Sequence, residues 1–300
     1  MGEPSGVLIL AGSTASGKTD LAIELARRFD AEIVGADSRQ IYRGMPIGTA
    51  APSDAQLQAV PHHLVAFLDP YERYSAARYA RDAVRAIEAI AARGRRAIVT
   101  GGTGFYLRAL TGDVALAPQH DDVLRDRLAG EARTHPAAVL WEWLAARDPQ
   151  RAAALDRNDA YRILRALEIA LAPRSAAPDA IAGETLRSAG IPFLKLALDV
   201  PLDAIDERIA RRADAMLSAG LLDEAERIGA EAVAANAVGY PQALAFLRGW
   251  STREELRAAL ARATRRYARR QRSWFRAEPG ITWLPPERIE AAAREKLGWP

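Results

Sequence analysis

The run Gly12-Ser13-Thr14-Ala15-Ser16-Gly17-Lys18-Thr19 fits the pattern G-x-x-x-x-G-K-S/T, a loop suited to cradling a di- or triphosphate. Its glycines let the backbone curl around an anion, and the loop N–H groups and the start of a following helix supply the attraction. Lys18 adds a point charge toward the phosphates, and Thr19 offers a hydroxyl for Mg2+. The motif specifies a phosphate chain without saying which molecule carries it. Lysine occurs only at Lys18, Lys195 and Lys296 in a chain that otherwise uses arginine, so a lysine inside the motif is informative.

Two further segments carry groups able to act on a phosphate ester. Asp37-Ser38-Arg39-Gln40-Ile41-Tyr42-Arg43-Gly44-Met45 follows an apolar run, which puts Asp37 at the carboxyl end of a strand. In an open parallel sheet that edge faces the ligand crevice. A carboxylate there can ligate Mg2+ or serve as a general base, and taken alone it equally suits a strand-end turn. Gly101-Gly102-Thr103-Gly104-Phe105-Tyr106 is again a strand end running into a helix, which would bring the Thr103 hydroxyl to the same crevice as Lys18.

The elements that must hold these segments alternate. Strand-like runs are expected at 7–11, 32–36, 96–100 and 193–200, with helices after the first, the third and the fourth. Ser75 is placed to cap a helix whose apolar face carries Ala80, Val84, Ile87 and Ile90, with Gly94 ending it. This rhythm predicts an α/β fold: a P-loop NTPase-like parallel sheet with helices on both faces. Residues 113–192 break the rhythm with helical segments near 123–132, 137–146 and 160–172 and an Ala/Pro-rich linker at 172–190. They read as a helical insertion domain, leaving 1–112 and 193–300 as the core. The chain is expected to end in helices, among them 252–276.

Composition bounds the rest. The 300 residues are 49% hydrophobic and include no cysteine, which removes disulfides, thiolate metal sites and cysteine nucleophiles. No apolar run reaches the length of a membrane span, and no leader pattern opens the chain, so a cytoplasmic protein away from membranes is expected. The net charge is only +3, yet Arg262, Arg265, Arg266, Arg269, Arg270, Arg272 and Arg276 crowd one segment, which suits a polyanionic partner as well as a solvated helix face. His62 and His63 have no partners at metal-ligand spacing and read as structural. Trp274 and Phe275 read as anchors of the last long helix.

In this order and spacing the three chemical segments resemble the tRNA dimethylallyltransferase (isopentenyl-tRNA transferase) family. The resemblance continues through Pro61-His62-His63-Leu64, Asn158-Asp159, Arg165-Ala166-Leu167-Glu168, Arg208, Arg212, Gly239-Tyr240 and Arg270-Gln271. It implies transfer of a dimethylallyl group from dimethylallyl diphosphate to the N6 amine of the adenosine 3′ of the anticodon in tRNA. Gly12, Ser13, Thr14, Ala15, Ser16, Gly17, Lys18 and Thr19 would then hold the diphosphate, with Mg2+ on Thr19. Asp37 would be the general base, and Thr103 and Arg212 would hold the departing oxygens. Asp37, Ser38, Arg39 and Gln40 would meet the target base and its neighbours. Arg125, Tyr161, Arg162, Ile163, Leu164 and Arg165 would contact the tRNA from the insertion, and the arginine-rich helix would face the anticodon stem. The resemblance also implies a monomer. The chain departs from the family pattern between Glu226 and Gly239, where it is shorter.

Three other activities fit parts of this pattern. A small-metabolite or nucleotide kinase would use the P-loop and Asp37 but leaves the Thr103 segment and the arginine cluster unexplained. An RNA-binding protein with an inactive P-loop would not need Lys18, Thr19, Asp37 and Thr103 together. A transferase acting on free adenylate would not need the basic insertion.

Overall fold

Val7–Ala11 has no polar side chain and forms the wholly buried middle of a sheet, as a parallel strand covered on both faces must be. The computed structural model describes residues 6–114, 122–172 and 184–300. They divide into two units, Met1–Val114 with Glu184–Pro300, and Ala115–Gly183. The first unit begins with β1 (Val7–Ala11), α1 (Lys18–Arg28), β2 (Ala31–Gly35), the short α2 (Pro46–Thr49) and α3 (Asp54–Ala59), and the two-residue β3 (His62–His63). It continues with α4 (Ala76–Ala92), β4 (Arg96–Gly101) and α5 (Gly104–Thr111). The second unit holds α6 (Asp122–Thr134), α7 (Ala137–Arg147), α8 (Pro149–Ala153) and α9 (Ala160–Leu171). The chain re-enters the first unit through β5 (Phe193–Leu198), α10 (Leu202–Ser218), α11 (Leu221–Ile228) and α12 (Tyr240–Leu247), and ends with α13 (Arg253–Arg276), β6 (Ile281–Leu284) and α14 (Pro286–Leu297).

All six strands are parallel, in the order β3-β2-β4-β1-β5-β6. Alternate residues of β1 feed opposite cores. Leu8 and Leu10 pack with Leu25 and Phe29 of the α1 region, Ile205 and Ile209 of α10 and Ile289 of α14. Val7, Ile9 and Ala11 pack with Tyr79, Val84 and Ile87 of α4, Leu107 and Leu110 of α5 and Phe275 of α13. The two faces are therefore both covered, and the loops leaving β1, β2 and β4 emerge together at one sheet edge. A third core, built on Ile41, Met45, Leu221, Tyr240, Leu256 and Leu260, supports the segments on the far side of that edge.

Two strands lie outside the sequence expectation. β3 has only two residues and no periodicity to read, and β6 is a four-residue edge strand after a long helix. The chain also rejoins the core earlier than expected at 192. Leu186 is fully buried against the sheet, and its N–H donates to Leu110 O at 2.8 Å. Asp113 pairs with buried Lys195 at 2.8 Å and with Arg187 at 2.7 Å, so residue 113 belongs with the core as well. Part of the expected linker, 173–183, lies outside the described residues. The second unit has a core of its own, in which Leu128, Leu140, Leu144, Ile163 and Leu167 meet.

Candidate active site

The loop after β1 becomes an anion cradle because two of its residues have positive φ, Ala15 at 62° and Gly17 at 87°. Gly17 caps α1, leaving the first N–H groups of the helix without intrahelical partners. Gly12 is required by packing, since a Cβ there would stand 2.7 Å from Ser16 Oγ. Two carbonyls of the loop are held from outside by Arg208, whose NH1 donates to Ala15 O at 3.3 Å and Ser16 O at 3.1 Å. Arg212 lies one turn further along α10 and so shares that helix face.

Three glycines let the loop after β4 pass close to its neighbours. A Cβ on Gly101 would stand 2.1 Å from Ala36 O, one on Gly102 2.1 Å from Gln271 Nε2, and one on Gly104 2.1 Å from Trp274 Nε1. Ala36 ends the β2 segment, so the approach at Gly101 draws the Asp37 and Thr103 loops together. Thr103 N–H donates to Ala36 O at 3.1 Å, Ser38 N–H donates to Thr103 Oγ1 at 2.9 Å, and Thr103 Oγ1 donates to Ser38 Oγ at 3.2 Å. Asp37 Oδ1 accepts from Arg39 N–H at 2.9 Å.

These loops open on a cavity of about 850 Å³. Its floor is the phosphate loop from Thr14 to Thr19, and its walls include Asp37, Arg39, Gln40, Arg208, Arg212, Tyr267 and Arg270. Apolar surface comes from Leu198, Met216, Val238 and Leu260. Ser38 and Thr103 stand behind Asp37 and are not among the described lining residues. Burial pushes the Lys18 ammonium down to about 8; Asp37 opposes the shift and Arg212 adds to it. Burial likewise lowers Arg212, against the pull of Asp37 and Tyr267, while the guanidinium stays charged. Among the described residues, Ser16 Oγ and Arg212 Nε are buried without a hydrogen-bond partner. A wall with two cations, two free donors and a positive helix end fits a diphosphate.

A divalent cation fits the same floor only in part. Thr19 and Asp37 supply hard oxygen atoms, but no group of three His, Cys, Asp or Glu side chains converges among the described residues. Mg2+ would therefore be held largely by diphosphate oxygens and water, with Thr19 as a protein ligand.

The opposite wall is built around a buried carboxylate that sequence reasoning missed. Glu224 accepts from Ile47 N–H at 3.0 Å, Gly48 N–H at 2.7 Å and Tyr240 OH at 2.7 Å. It thereby fixes the N-terminus of α2, whose last carbonyls hold Gln40: Nε2 donates to Thr49 O at 3.3 Å and Ala50 O at 2.9 Å. Gly48 must be glycine, because a Cβ would stand 2.5 Å from the Tyr240 ring. The signal available in the sequence was the Gly239-Tyr240 pair, whose partner in space is this helix. The shorter stretch before that pair carries a 3-10 turn, Val233–Asn236, and delivers Asn236, Ala237 and Val238 to the cavity wall.

A family model described as IPP transferase matches residues 40–278. The chain is 45% identical to a tRNA dimethylallyltransferase of Anaeromyxobacter sp. (strain K) over 97% of both proteins. It is 41% identical to that of Geobacter sulfurreducens over 94% of this chain and 93% of the relative. Among solved structures, the full-length tRNA isopentenylpyrophosphate transferase of Bacillus halodurans matches with a TM-score of 0.70 at 32% identity, covering 98% and 97% of the two chains. A eukaryotic dimethylallyltransferase, solved acting on tRNA, matches with a TM-score of 0.73 at 25% identity, covering 97% of this chain and 76% of that one. The chain belongs to the IPP transferase family.

In this IPP transferase the expected RNA-facing residues divide by exposure. Tyr161 is 77% exposed, and the Arg162 side chain is 65% exposed beside Asp159 at 3.4 Å. Arg125 is half-buried. Ile163 is fully buried in the second unit's core, so its side chain is withdrawn from any RNA, and Leu164 is half-buried against that core. Arg165 pairs with buried Glu168 at 2.9 Å. The arginine cluster of α13 divides too. Arg272 donates to Val200 O at 2.9 Å and to Asp199 at 3.0 Å, and Arg276 joins Asp199 at 3.0 Å while stacking on Trp283. Arg262, Arg266 and Arg269 remain exposed along one face. Phe275 is core, as expected, and His63 is structural, bonded to buried Glu32 at 2.6 Å. Among the described residues no helix is long and apolar enough to cross a membrane.

Proposed function

We propose that this IPP transferase moves a dimethylallyl group from dimethylallyl diphosphate to the N6 amine of the adenosine 3′ of the anticodon in tRNA. The observation that supports it most is the meeting, on one cavity, of a phosphate loop with Asp37 and Arg212, in a chain whose relatives bear that activity in their names. The diphosphate lies on the loop from Thr14 to Thr19, where Lys18 and Arg212 neutralise charge that grows as the bond to the allylic carbon breaks. The N6 lone pair forms the new bond to that carbon, the diphosphate leaves with the electrons of the C–O bond, and Asp37 takes the N6 proton. Thr19 would hold a Mg2+ ion bound with the donor, which would supply further charge neutralisation. Thr103, expected to hold the departing oxygens, does not line the cavity and acts from behind it: its hydroxyl accepts from Ser38 N–H at 2.9 Å and so steadies the neighbouring Asp37.

The adenosine must leave its stack to reach a cavity of this depth. Arg39 and Gln40 in the wall meet the base and its neighbours, and the second unit, with Tyr161, Arg162, Arg165 and Arg125, contacts the tRNA. A tRNA acceptor suits a cytoplasmic enzyme, and we take the enzyme to act as a monomer. The test is mass analysis of nucleosides from unmodified tRNA incubated with the protein, Mg2+ and dimethylallyl diphosphate. The expected product is N6-dimethylallyl adenosine; its absence, with phosphate transfer from ATP to a small acceptor instead, would replace this reading with a kinase.

A further inference from the structure

Along α13 the residues Leu260, Thr264, Tyr267 and Gln271 are spaced to share one helical face. The first three line the cavity, whereas Gln271 lies behind its floor and is 6% exposed. Both ends of its amide are engaged. Oε1 accepts from Thr14 N–H of the phosphate loop at 2.7 Å, and Nε2 donates to Gly102 O at 2.9 Å. Glycine at 102 is what allows the second bond, because a Cβ there would collide with Nε2. Gly102 directly precedes Thr103, whose hydroxyl holds the Ser38 backbone next to Asp37.

We propose that Gln271 is a positioning residue that fixes the phosphate loop and the 101–103 loop at one separation, so that the diphosphate and Asp37 are held in register; what is aligned rests on the prenyl-transfer reading. The attraction of a curled loop for an anion depends on the direction of each peptide N–H. Thr14 N–H points away from the anion, to Gln271, and this sets the plane of the peptide from which the following loop N–H groups are aimed. Only an amide can accept from one loop and donate to the other; a carboxylate has no proton for Gly102 O, and a thioether serves neither loop well. Gln271 touches neither reacting atom, so its loss acts through the loops.

The test uses the whole chain and two variants that break the link by different routes. Gln271→Met removes both hydrogen bonds to the loops, together with the one to the Tyr267 side chain, and Gly102→Ala drives the amide away by contact without adding charge. Calorimetric titration with magnesium diphosphate needs no tRNA, and it is run well below the melting temperature of each variant, where the folded fraction is close to one and the apparent affinity is the intrinsic one. Both variants should bind diphosphate about tenfold more weakly, because a phosphate loop no longer held in place must be ordered when the anion binds. Steady-state assays should then show the donor KM raised and kcat lowered, with the KM for tRNA within twofold of the parent. Diphosphate affinity within twofold of the parent in both variants would overturn the proposal. Failure of the parent protein to prenylate tRNA would instead overturn the functional reading, leaving the diphosphate titration as a valid test of the link.

Discussion

Replacing Lys18 by methionine should stabilise the free protein while weakening, without abolishing, its hold on the diphosphate. The reason lies in hydration. Lys18 is half-buried at the cavity floor, its ammonium makes a weak contact to Ser13 O at 3.4 Å, and desolvation lowers its pKa from 10.5 to about 8. A fall from 10.5 to about 8 sets a ceiling of roughly 3 kcal/mol on the cost in the folded state at neutral pH, and solvent reaching the half-buried side chain cuts it to about 1 to 2 kcal/mol. The folded pKa lies below the unfolded one, so this cost is fully present below pH 8. It is relieved as pH rises from about 8 toward 10.5, where the folded state sheds a proton that the unfolded chain keeps. Lys18→Met should therefore raise the melting temperature near pH 7 by several degrees. A diphosphate reverses the balance, since its charge raises the Lys18 pKa again. Binding should then take up about half a proton at pH 8 and about nine-tenths at pH 9, and affinity should fall by up to about tenfold per pH unit above 8. Calorimetry in two buffers of different ionisation enthalpy measures the uptake, and subtracting the result for Lys18→Met removes the titration of the diphosphate itself. A variant that melts below the parent, or a difference in proton uptake near zero at pH 9, would refute the assignment of a desolvated, charge-restored lysine.

Asp37→Ala should slow single-turnover prenyl transfer by ~10²–10⁴ while leaving tRNA affinity nearly unchanged; a rate loss below threefold would end its role as a base. Replacing Arg262, Arg266 and Arg269 together by alanine should weaken tRNA binding and flatten its log–log dependence on salt by about 2 to 3 units, at roughly 0.7 to 0.9 per phosphate contact. Replacing Arg272 should instead lower the melting temperature, because it ties α13 to Asp199 and Val200. Glu32 is a buried carboxylate that burial alone would push up, but hydrogen bonds from Arg93 and His63 bring it down to about 2. Its folded pKa is depressed, so its contribution is present above the unfolded value near 4.5 and lost as pH falls toward 2. Glu32→Gln should cost about 2 kcal/mol at pH 7, discounted because its arginine partners are half exposed, and about half as much at pH 3; denaturant midpoints at the two pH values give the comparison.

What the sequence determined by itself is local. The phosphate loop could be read because its glycines, Lys18 and Thr19 are contiguous, and the strands beside it because β1 and β4 are short apolar runs stopped by glycine. The helical character of the second unit followed from its segments in the same way. A two-residue strand such as β3 has no period to detect, and Leu186 looked like part of a loop because its partner, Leu110, is far away in the chain. Within the candidate site, residue types told less than geometry. Gln271 reaches Thr14 across 257 positions, and Glu224 reaches Ile47 across 177, so no spacing along the chain links either pair. The seven arginines clustered from Arg262 to Arg276 are equivalent as a composition. Only the fold separates Arg272 and Arg276, which lie against Asp199 and Trp283, from Arg262, Arg266 and Arg269, which face solvent. A backbone pattern is written in neighbours three or four residues apart, whereas the partner of a buried polar group is chosen by whichever helix the sheet brings beside it.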